Sequence, residues 1–390
     1  MRTEGSLTRK SAWESWCNQQ GPGDKPTGQQ RGSPYVDDQT KNRYFNVTFG
    51  SHLPTHVAST RSLSRLSSSA QVDQSLTTGF RSATELKQLF KRIGKSFDAV
   101  QLSPGPLKGS FSLLSLGSMC LLEIRTNQRL LLNGERGDDC MSFSFEATGL
   151  ADDHRLFNKP IVPYSLNGFR QGQVESHFQL TANSTTFLAI LSVSRFNAFI
   201  SHYERDELIE QLETNNSVQI RPGMHAQFRK KFETLLLNPP LTTQHRRQAT
   251  NNLYSSFLNA LSDKPNVDYL TFAPSPRQKL VREFVDWAFD NSCNDYNLDQ
   301  ISELLFASRR TLIQGTKEAF DMGPMEMMKR VRLEKVNWIL RSLEAREAQK
   351  FKTITQVAQH YGFQSRGHFA KAYQSLFAET PSETWLKSMR

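Results

Sequence analysis

The chain contains 390 residues and carries 48 lysines and arginines against 38 aspartates and glutamates, which gives a formal net charge of +10 at pH 7. This length exceeds what one hydrophobic core usually supports, and it predicts two domains plus tails. The basic balance favours an anionic partner such as nucleic acid, although a solvated basic surface would give the same count.

Cysteines and apolar runs narrow the class of protein further. The cysteines lie far apart with no CxxC pair, which predicts neither a zinc site nor a disulfide framework: Cys17, Cys120, Cys140 and Cys293. No run approaches the roughly 20 apolar residues that span a bilayer, and the opening MRTEGSLTRKSAWESWCNQQGPG has no apolar core of a secretion signal. We therefore expect a cytoplasmic protein without a membrane partner.

Residues 1–80 are rich in Ser, Thr, Gln, Gly and Arg. Within them, ASTRSLSRLSSSAQVDQSLTTG lacks any sustained period of apolar residues. Such a segment cannot bury enough surface to offset an ordering entropy of about 1–2 kcal/mol per residue. The sequence therefore predicts a mostly disordered tail over residues 1–80.

Short β-type runs separated by Gly, Asn and Asp turns fill the stretch from about residue 83 to residue 200. Met141, Phe143 and Phe145 alternate with polar residues, which is the period of a strand with one buried face. Regularly spaced strands predict a sandwich or barrel, and a concave β-domain could enclose a small molecule. His154 and His177 stand apart and no HxH or HExxH occurs, so we expect hydrogen-bonded or surface histidines, no metal and no cofactor.

Helical spacing replaces the strand period after about residue 203. Two sets of apolar residues predict two amphipathic helices: Met224, Phe228, Phe232 and Leu235, then Leu253, Phe257 and Leu261. These helices could form a dimer surface or a cap on the β-domain, and both readings stay open. Residues 263–276, DKPNVDYLTFAPSP, contain three prolines and predict a linker. The β-rich domain with its helices is thus expected over residues 83–262.

Two similar short segments occur near the carboxyl end: SRRTLIQGTKEAF begins at Ser308, and SRGHFAKAYQSLF begins 57 residues later at Ser365. Upstream the offset is 56, and we place the extra residue of the second copy at Gly362. The two serines predict helix caps, and Asn297 with Gln300 and Thr353 with Gln356 predict caps for the preceding short helices. Helical periodicity assigns eight residues to the core: Leu312, Thr316, Ala319, Phe320, Phe369, Tyr373, Leu376 and Phe377.

A short helix, a tight turn and a second helix with a donor-rich outer face form the helix-turn-helix pattern, in which the second helix enters the DNA major groove. An apolar-striped helix from about Pro324 to Leu343 joins the two copies. It can hold two reading helices about 34 Å apart, which is one turn of B-DNA. We therefore expect an all-α domain over residues 275–390 and double-stranded DNA as its partner.

These residues resemble the AraC/XylS family of bacterial transcription regulators over Ser275 to Arg390. The most specific part is ITQVAQHYGFQSRGHFAKAYQSLFAETPSETW, Ile354 to Trp385, which is similar to the family's second-unit signature. Upstream, LSPGPLKGSFSLLSLGSMCLLEIRTNQRLLLNGER looks more loosely like the effector domain of cyanobacterial-type members. The resemblance implies an α+β multidomain activator that usually dimerises and engages RNA polymerase, with a cupin-like β-barrel or sandwich as its effector domain.

Carried over by position, the resemblance implies ten DNA-binding residues: Arg309, Arg310, Ile313, Gln314, Lys317, Arg366, Gly367, His368, Lys371 and Gln374. The family usually has glycine in a left-handed conformation just after each reading helix, where this chain has Asp321 and Ala378. Because Gly367 has no side chain, we expect the second unit to rely on phosphate contacts and DNA shape.

Other functions stay open alongside a regulator with a small-molecule effector. The protein could be a DNA-binding protein controlled by a protein partner, or an architectural binder without an effector. A tightly packed, empty barrel would favour either of these. A β-barrel enzyme with a DNA-binding appendage is less favoured, because the sequence offers no metal or catalytic cluster. Activator and repressor are not distinguished by the residues alone.

Overall fold

A computed structural model gives the fold of residues 75–389, apart from positions 138, 149–153, 174, 263–267 and 272. Most of the tail predicted over residues 1–80 therefore lies outside the described residues. Its last six residues depart from that prediction, because Ser75–Phe80 form strand β1. The segment is short and polar, but β1 pairs antiparallel with the strand at Gly109–Ser115 and ends in a buried Phe80.

Two antiparallel sheets build the amino-terminal half of the described chain. One has the order β1-β3-β4-β11-β6-β9-β12-β13 and the other the order β2-β5-β10-β7-β8. The strands after β1 are β2 Ser96–Gln101, β3 Gly109–Ser115, β4 Met119–Thr126, β5 Leu130–Glu135, β6 Cys140–Glu146, β7 Arg155–Leu156, β8 Lys159–Pro160, β9 Ser165–Asn167, β10 Glu175–Leu180, β11 Ser184–Ser192, β12 Asn215–Gln219 and β13 Asp268–Thr271.

The larger sheet has two buried faces. One face packs against the smaller sheet and encloses a core that includes Leu122, Leu132 and Leu188. The opposite face carries Met141, Phe143 and Phe145, which contact helices instead. The predicted alternation in β6 is confirmed, and so is the predicted sandwich of a β-rich domain with a helical segment.

Helices of the amino-terminal half are α1 Ala83–Arg92, α2 Val193–His202, α3 Glu207–Thr214, α4 Pro222–Leu237 and α5 Thr243–Ser262. The two helices predicted from apolar spacing correspond to α4 and α5. Helices α1 and α2 lie in the zone that the sequence analysis assigned to strands. Helix α1 begins at a Ser82 cap and buries Leu86 and Phe90 in the sandwich core, while α2 buries Phe196 and Ile200 against the larger sheet.

The carboxyl-terminal part is all-α. Its helices are α6 Pro276–Asp290, α7 Leu298–Leu304, α8 Arg309–Phe320, α9 Pro324–Arg341, α10 Leu343–Ala348, α11 Ile354–His360, α12 Arg366–Phe377 and α13 Pro381–Lys387. The predicted connecting helix ends at Arg341, because Ser342 caps a new helix there. Within the described ranges, no helix combines the length and the apolar character needed to cross a bilayer.

Helix α9 contributes to two separate cores. Met327, Met328 and Val331, near its start, pack with α6 and α8. Leu333, Val336, Ile339 and Leu340, further along, pack with α11 and α12. One continuous helix therefore belongs to both helix-turn-helix units, and bending it would disturb the packing of both.

Candidate DNA-binding surface

Capping interactions fix where the helices of each unit begin. Asn297 and Thr353 each form a capping box with the glutamine three residues later, so α7 and α11 start as the sequence predicts. The hydroxyls of Ser308 and Ser365 accept hydrogen bonds from the main-chain N–H three residues on, at 3.1 Å and 3.4 Å. Since α8 and α12 then begin at equivalent residues, we call them the first and second reading helices.

The turn before each reading helix corrects one detail of the sequence alignment. Phe306 and Gly362 both have left-handed backbones, with φ of 50° and 80°, and the N–H of each donates to the carbonyl three residues earlier. Phe306 is thus the structural equivalent of Gly362, and Ala307 that of Phe363. The extra residue of the second turn is Gln364, and the assignment to Gly362 was wrong. Gly362 looked like the inserted residue because glycine is the residue that most readily adopts a left-handed conformation. In the first unit, however, Phe306 adopts the same conformation.

The inward face of both reading helices matches the periodicity of the sequence. All eight residues assigned to the core are buried. In the second unit, the Asn337 amide of α9 donates to the Tyr373 hydroxyl at 2.7 Å, and that hydroxyl donates to Thr384 of α13 at 2.9 Å. These bonds fix the rotation of α12 about its axis, and therefore fix which side chains face outward.

The outward face carries the ten residues assigned to DNA. Nine of them are exposed and Ile313 is half-buried. Arg309 pairs with Asp299 at 2.9 Å, and Gln314 donates to Glu318 at 3.0 Å. Within the described residues, the other polar side chains of the set show no ion pair or hydrogen bond: Arg310, Lys317, Arg366, His368, Lys371 and Gln374. An exposed pair such as Arg309–Asp299 is worth at most about 1 kcal/mol and can be exchanged for a phosphate contact.

Left-handed residues end both reading helices. Asp321 has φ 61° and Ala378 has φ 54°, and the N–H of each donates back to the last turn, at 2.9 Å and 2.8 Å. The expected left-handed positions are therefore present without glycine. The alanine pays about 1–2 kcal/mol for this conformation, whereas aspartate tolerates it better.

The smaller sheet of the amino-terminal half packs directly on the first helix-turn-helix unit. Val100, Leu102 and Leu131 belong to the same apolar core as helices α6, α8 and α9. Arg282 of α6 pairs with Glu175 of β10 at 3.0 Å, and Arg341 of α9 lies 3.4 Å from Glu85 of α1. The reading helices are thus carried by a surface that is continuous with the β-sandwich.

Two glutamines of this sheet reach the carboxyl ends of the two reading helices. Gln179 of β10 donates to the main-chain oxygen of Ala319 in α8 at 3.0 Å. Gln101 of β2 donates to the main-chain oxygen of Leu376 in α12 at 3.1 Å. Arg129 adds an ion pair to Asp321 at 2.6 Å. One sheet therefore contacts the last turn of both reading helices.

His177 of β10 is a buried polar residue of the same sheet. The ring nitrogens of His177 lie 2.9 Å from the amide oxygen of Asn133 and 2.8 Å from that of Asn158. Asn133 also donates to Asp286 of α6 at 2.8 Å. Burial lowers the pKa of His177 to about 3, so the ring is neutral at pH 7 and donates to one of the two oxygens. His154 also forms hydrogen bonds, to Thr181 and Thr186.

Sequence reasoning did not find this interface. Gln101, Asn133 and Gln179 each directly follow an apolar residue of their strand, and polar residues that are buried in a strand need partners. That signal was present in the sequence. The identity of the partners was not, because they lie more than 130 residues away along the chain in each case.

Comparisons with known proteins agree with this geometry. A family model described as a helix-turn-helix domain matches residues 301–386. The XylDLEGF operon transcriptional activator 2 of Pseudomonas putida is 31% identical over 110 residues, which are 28% of this chain and 66% of that protein. The transcriptional activator RhaS of Escherichia coli O157:H7 is 28% identical over 97 residues, 25% of this chain and 32% of that protein.

A solved structure adds a third similarity. The probable AraC family transcriptional regulator from Rhodopseudomonas palustris CGA009 shares 27% identity, with 28% of this chain and 97% of that chain covered and a TM-score of 0.26. This chain spans about two thirds of the Pseudomonas protein's length and about a third of RhaS. The match of the family model lies on the two helix-turn-helix units described above. Through this carboxyl-terminal domain, the chain belongs to the AraC/XylS family.

Proposed function

We propose that this protein is a sequence-specific transcription regulator, an activator, that binds double-stranded DNA in two successive major-groove segments. The observation that carries this proposal is the pair of reading helices, each with a donor-rich exposed face, joined by a helix that belongs to both of their cores. The names of the similar Pseudomonas and Escherichia proteins, which are activators, support the same reading.

The two reading faces suit different kinds of DNA contact. In the first unit, Arg310 and Gln314 are long enough to bond a purine edge with two hydrogen bonds, each good pair discriminating by about 1–3 kcal/mol. Lys317, nearer the carboxyl end of α8, suits a phosphate and gives a salt-dependent attraction. In the second unit, Gly367 adds no side chain at the start of α12, so DNA can approach its main chain closely. His368 and Lys371 then supply the side-chain donors.

The shared helix explains how both units act on one DNA site. Because α9 packs into both cores, the two reading helices cannot reorient independently without loss of buried contacts. We expect them to be held about 34 Å apart, so that they meet one face of the duplex. DNA would bend where its two major-groove segments do not match this spacing.

Regulation follows from the contacts of the smaller sheet. Gln101 and Gln179 contact the last turn of each reading helix, so a change of the amino-terminal domain that moves this sheet would move both helices. An effector can act in this way only if it binds the two arrangements with different affinity. Dimerisation of the amino-terminal domain and contact with RNA polymerase complete the proposed activator.

A second candidate is a DNA-binding protein controlled by a protein partner rather than by a ligand inside the sandwich. The observation in its favour is the tight packing between the sheets, where the cavity near Phe97, Phe178 and Leu188 holds only about 40 Å³. A cavity of this size accommodates a few water molecules at most. An effector that enters between the sheets would first have to separate them.

The proposal is tested by selection of bound fragments from a genomic library with the full-length protein, followed by footprinting. Two protected segments about 10 base pairs apart on one face of the duplex are expected. The double variant Arg310→Ala/Lys371→Ala should lose the footprint. The control variant Arg229→Ala, which replaces an exposed arginine of α4, should keep it. Fragments recovered without sequence preference would favour the architectural binder, and no recovery at all would refute the proposal.

A further inference from the structure

A second feature lies on the far side of the larger sheet, away from the reading helices. A cleft of about 930 Å³ opens between α2, the start of α5 and the turn that joins β3 to β4. Its size is that of a site for a small molecule, whereas the cavity near Phe97 and Phe178, between the sheets, holds about 40 Å³.

Positive charge dominates the walls of the cleft. Arg195 projects from α2, and Arg246 and Arg247 project from α5. Arg246 donates to the main-chain oxygens of Pro240 and Leu241, at 3.3 Å and 2.9 Å, which holds it at the beginning of α5. In the described part of the chain, the exposed guanidinium groups of Arg195 and Arg247 have neither an ion pair nor a hydrogen bond.

The carboxylate that lines the cleft is already engaged. Asp139 accepts a hydrogen bond from the Ser192 hydroxyl at 3.0 Å and another from the main-chain N–H of Ser194 at 3.2 Å. Both donors belong to the start of α2, so this carboxylate acts as part of the helix cap. The arginines therefore keep most of their positive charge available to a bound anion.

Tyr254 lies at the inner end of the cleft with an unused donor. Its side chain is 4% exposed, and its hydroxyl makes no hydrogen bond of acceptable geometry among the described residues, although Ser118 lies beside it. Burial raises the pKa of Tyr254, and the Ser118 hydroxyl and the charge of Arg195 act in the opposite direction. The ring of Phe199 packs edge-on at 5.2 Å from that of Tyr254 and adds a flat apolar wall.

We propose that this cleft binds a small organic anion in which an acid group is attached to a flat ring. Arg195 and Arg247 would hold the acid group, because a guanidinium donates two parallel hydrogen bonds to a carboxylate or a phosphate. The Tyr254 hydroxyl would donate to the same group, and the ring would lie against Phe199. Charge, the unused donor and the apolar wall converge on one ligand chemistry.

Folding alone does not account for these groups. A buried hydroxyl that lacks a well-placed partner destabilises the folded state, and the like charges of Arg195 and Arg247, which line one cleft, repel each other. Residues that lower stability in this way are typical of binding sites. This inference does not depend on DNA binding, and a failure of the DNA experiment would leave it intact.

The test measures binding to the full-length protein by calorimetry, with ring-bearing anions and their neutral counterparts. Adenosine monophosphate is compared with adenosine, and 2-naphthoate with 2-naphthylmethanol, so the two pairs also separate phosphate from carboxylate. We expect at least one anion to bind about tenfold or more tightly than its neutral counterpart, the usual range for a charged hydrogen-bonded pair. Inorganic phosphate, which lacks a ring, should bind more weakly than adenosine monophosphate.

Variants locate the bound anion. Arg195→Gln combined with Arg247→Gln should weaken the anion about tenfold or more and leave the neutral compounds unchanged, while Arg229→Gln on α4 should change neither. Tyr254→Phe should weaken the anion but keep or raise the melting temperature, because the lost hydroxyl makes no well-placed hydrogen bond among the described residues. The proposal is overturned if no anion exceeds its neutral counterpart, if the arginine variants bind as the native protein does, or if phosphate alone binds as well as adenosine monophosphate.

Discussion

The side-chain amide of Gln101 donates a hydrogen bond to the main-chain oxygen of Leu376 across 3.1 Å. The main-chain N–H of Gly105 donates to the same oxygen at 3.0 Å. A strand of the amino-terminal sheet and the loop that follows it are therefore bonded to the last turn of the second reading helix. The sheet is thus hydrogen-bonded directly to the candidate DNA-binding surface at this point.

Replacement of Gln101 tests this connection. Gln101→Ala removes an amide that also donates to the carbonyls of Ser103 and Gly105, but it leaves the bond from the Gly105 N–H, so the free energy of unfolding should fall by about 1–3 kcal/mol. The Gly105 amide should exchange its hydrogen faster, because its acceptor is then held less firmly. Denaturant unfolding measures the change in stability, and hydrogen exchange measures the change at the Gly105 amide. The control is Gln219→Ala on β12, which removes an exposed hydrogen bond from the Gln219 amide to the Pro163 carbonyl. This variant should leave hydrogen exchange at Gly105 unchanged.

The assignment of base contacts to the first reading helix is tested by competition binding. Arg310→Ala and Gln314→Ala should each reduce discrimination between matched and mismatched sites by about 1–3 kcal/mol, because they remove donors to base edges. Lys317→Ala should weaken binding to all sequences alike and lower the salt slope by about 1. If Arg310→Ala changes neither affinity nor preference, α8 does not lie in the groove as proposed.

Much of the carboxyl-terminal fold could be predicted because its determinants are local. Asn297 and Ser308 cap helices through residues three positions away, and the core face of α8 follows from a period of 3.6 residues. The same reasoning assigned the outward face, whose DNA contacts remain a proposal. Prediction was less accurate in the turn before the second reading helix, where one extra residue changes the alignment of the two units. The position of that residue, Gln364, depends on backbone conformation, which sequence similarity does not report.

The amino-terminal half was harder to predict, since its determinants are non-local. Ser75–Phe80 become a strand only through pairing with β3, and nothing within the segment indicates this. Helix α1 lies among strands and is stabilised by the sandwich core that it covers. The contacts of Gln101 and Gln179 with the reading helices require partners that only the complete fold brings together.

Two glycines of the reading helices should respond in opposite ways to the same substitution. A Cβ at Gly315 would lie 2.7 Å from a Val281 methyl and 2.9 Å from the Arg277 side chain of α6, so Gly315→Ala should cost about 1–3 kcal/mol of stability. A Cβ at Gly367 would meet no atom within 4 Å, so Gly367→Ala should raise stability by about 0.5–1 kcal/mol. Thermal and denaturant unfolding measure both effects.

Gly367→Ala also tests the second reading helix. If DNA approaches the main chain at the start of α12, the added methyl group should lower DNA affinity several-fold while the protein becomes more stable. The two effects have opposite signs, so a folding defect cannot imitate the binding defect. Unchanged affinity in a stabilised Gly367→Ala protein would show that this end of α12 does not contact DNA closely.

Glu334 of α9 gives the interface between the sheet and the reading domain a dependence on pH. Its carboxyl group is buried, accepts a hydrogen bond from the Gln101 N–H at 2.9 Å and leaves its second oxygen without a partner. Burial raises its pKa from 4.5 to about 7, an effect that the Gln101 bond and the charges of Arg341 and Arg330 only partly oppose. Ionisation therefore destabilises the folded state.

The sign of this effect follows from the pKa in the two states. Since the folded pKa of Glu334 exceeds the unfolded one, its contribution is greatest below pH 4.5 and is lost as the pH rises to about 7, by on the order of 3 kcal/mol. Glu334→Gln should abolish this loss and be more stable than the native protein at pH 8. The difference between native and variant unfolding free energies from pH 4 to pH 8 isolates Glu334 from His177, whose lowered pKa acts in the opposite direction. Glu344→Gln, which replaces an exposed carboxyl of α10, is the matched control, and a difference curve that stays flat across this range would contradict the assignment.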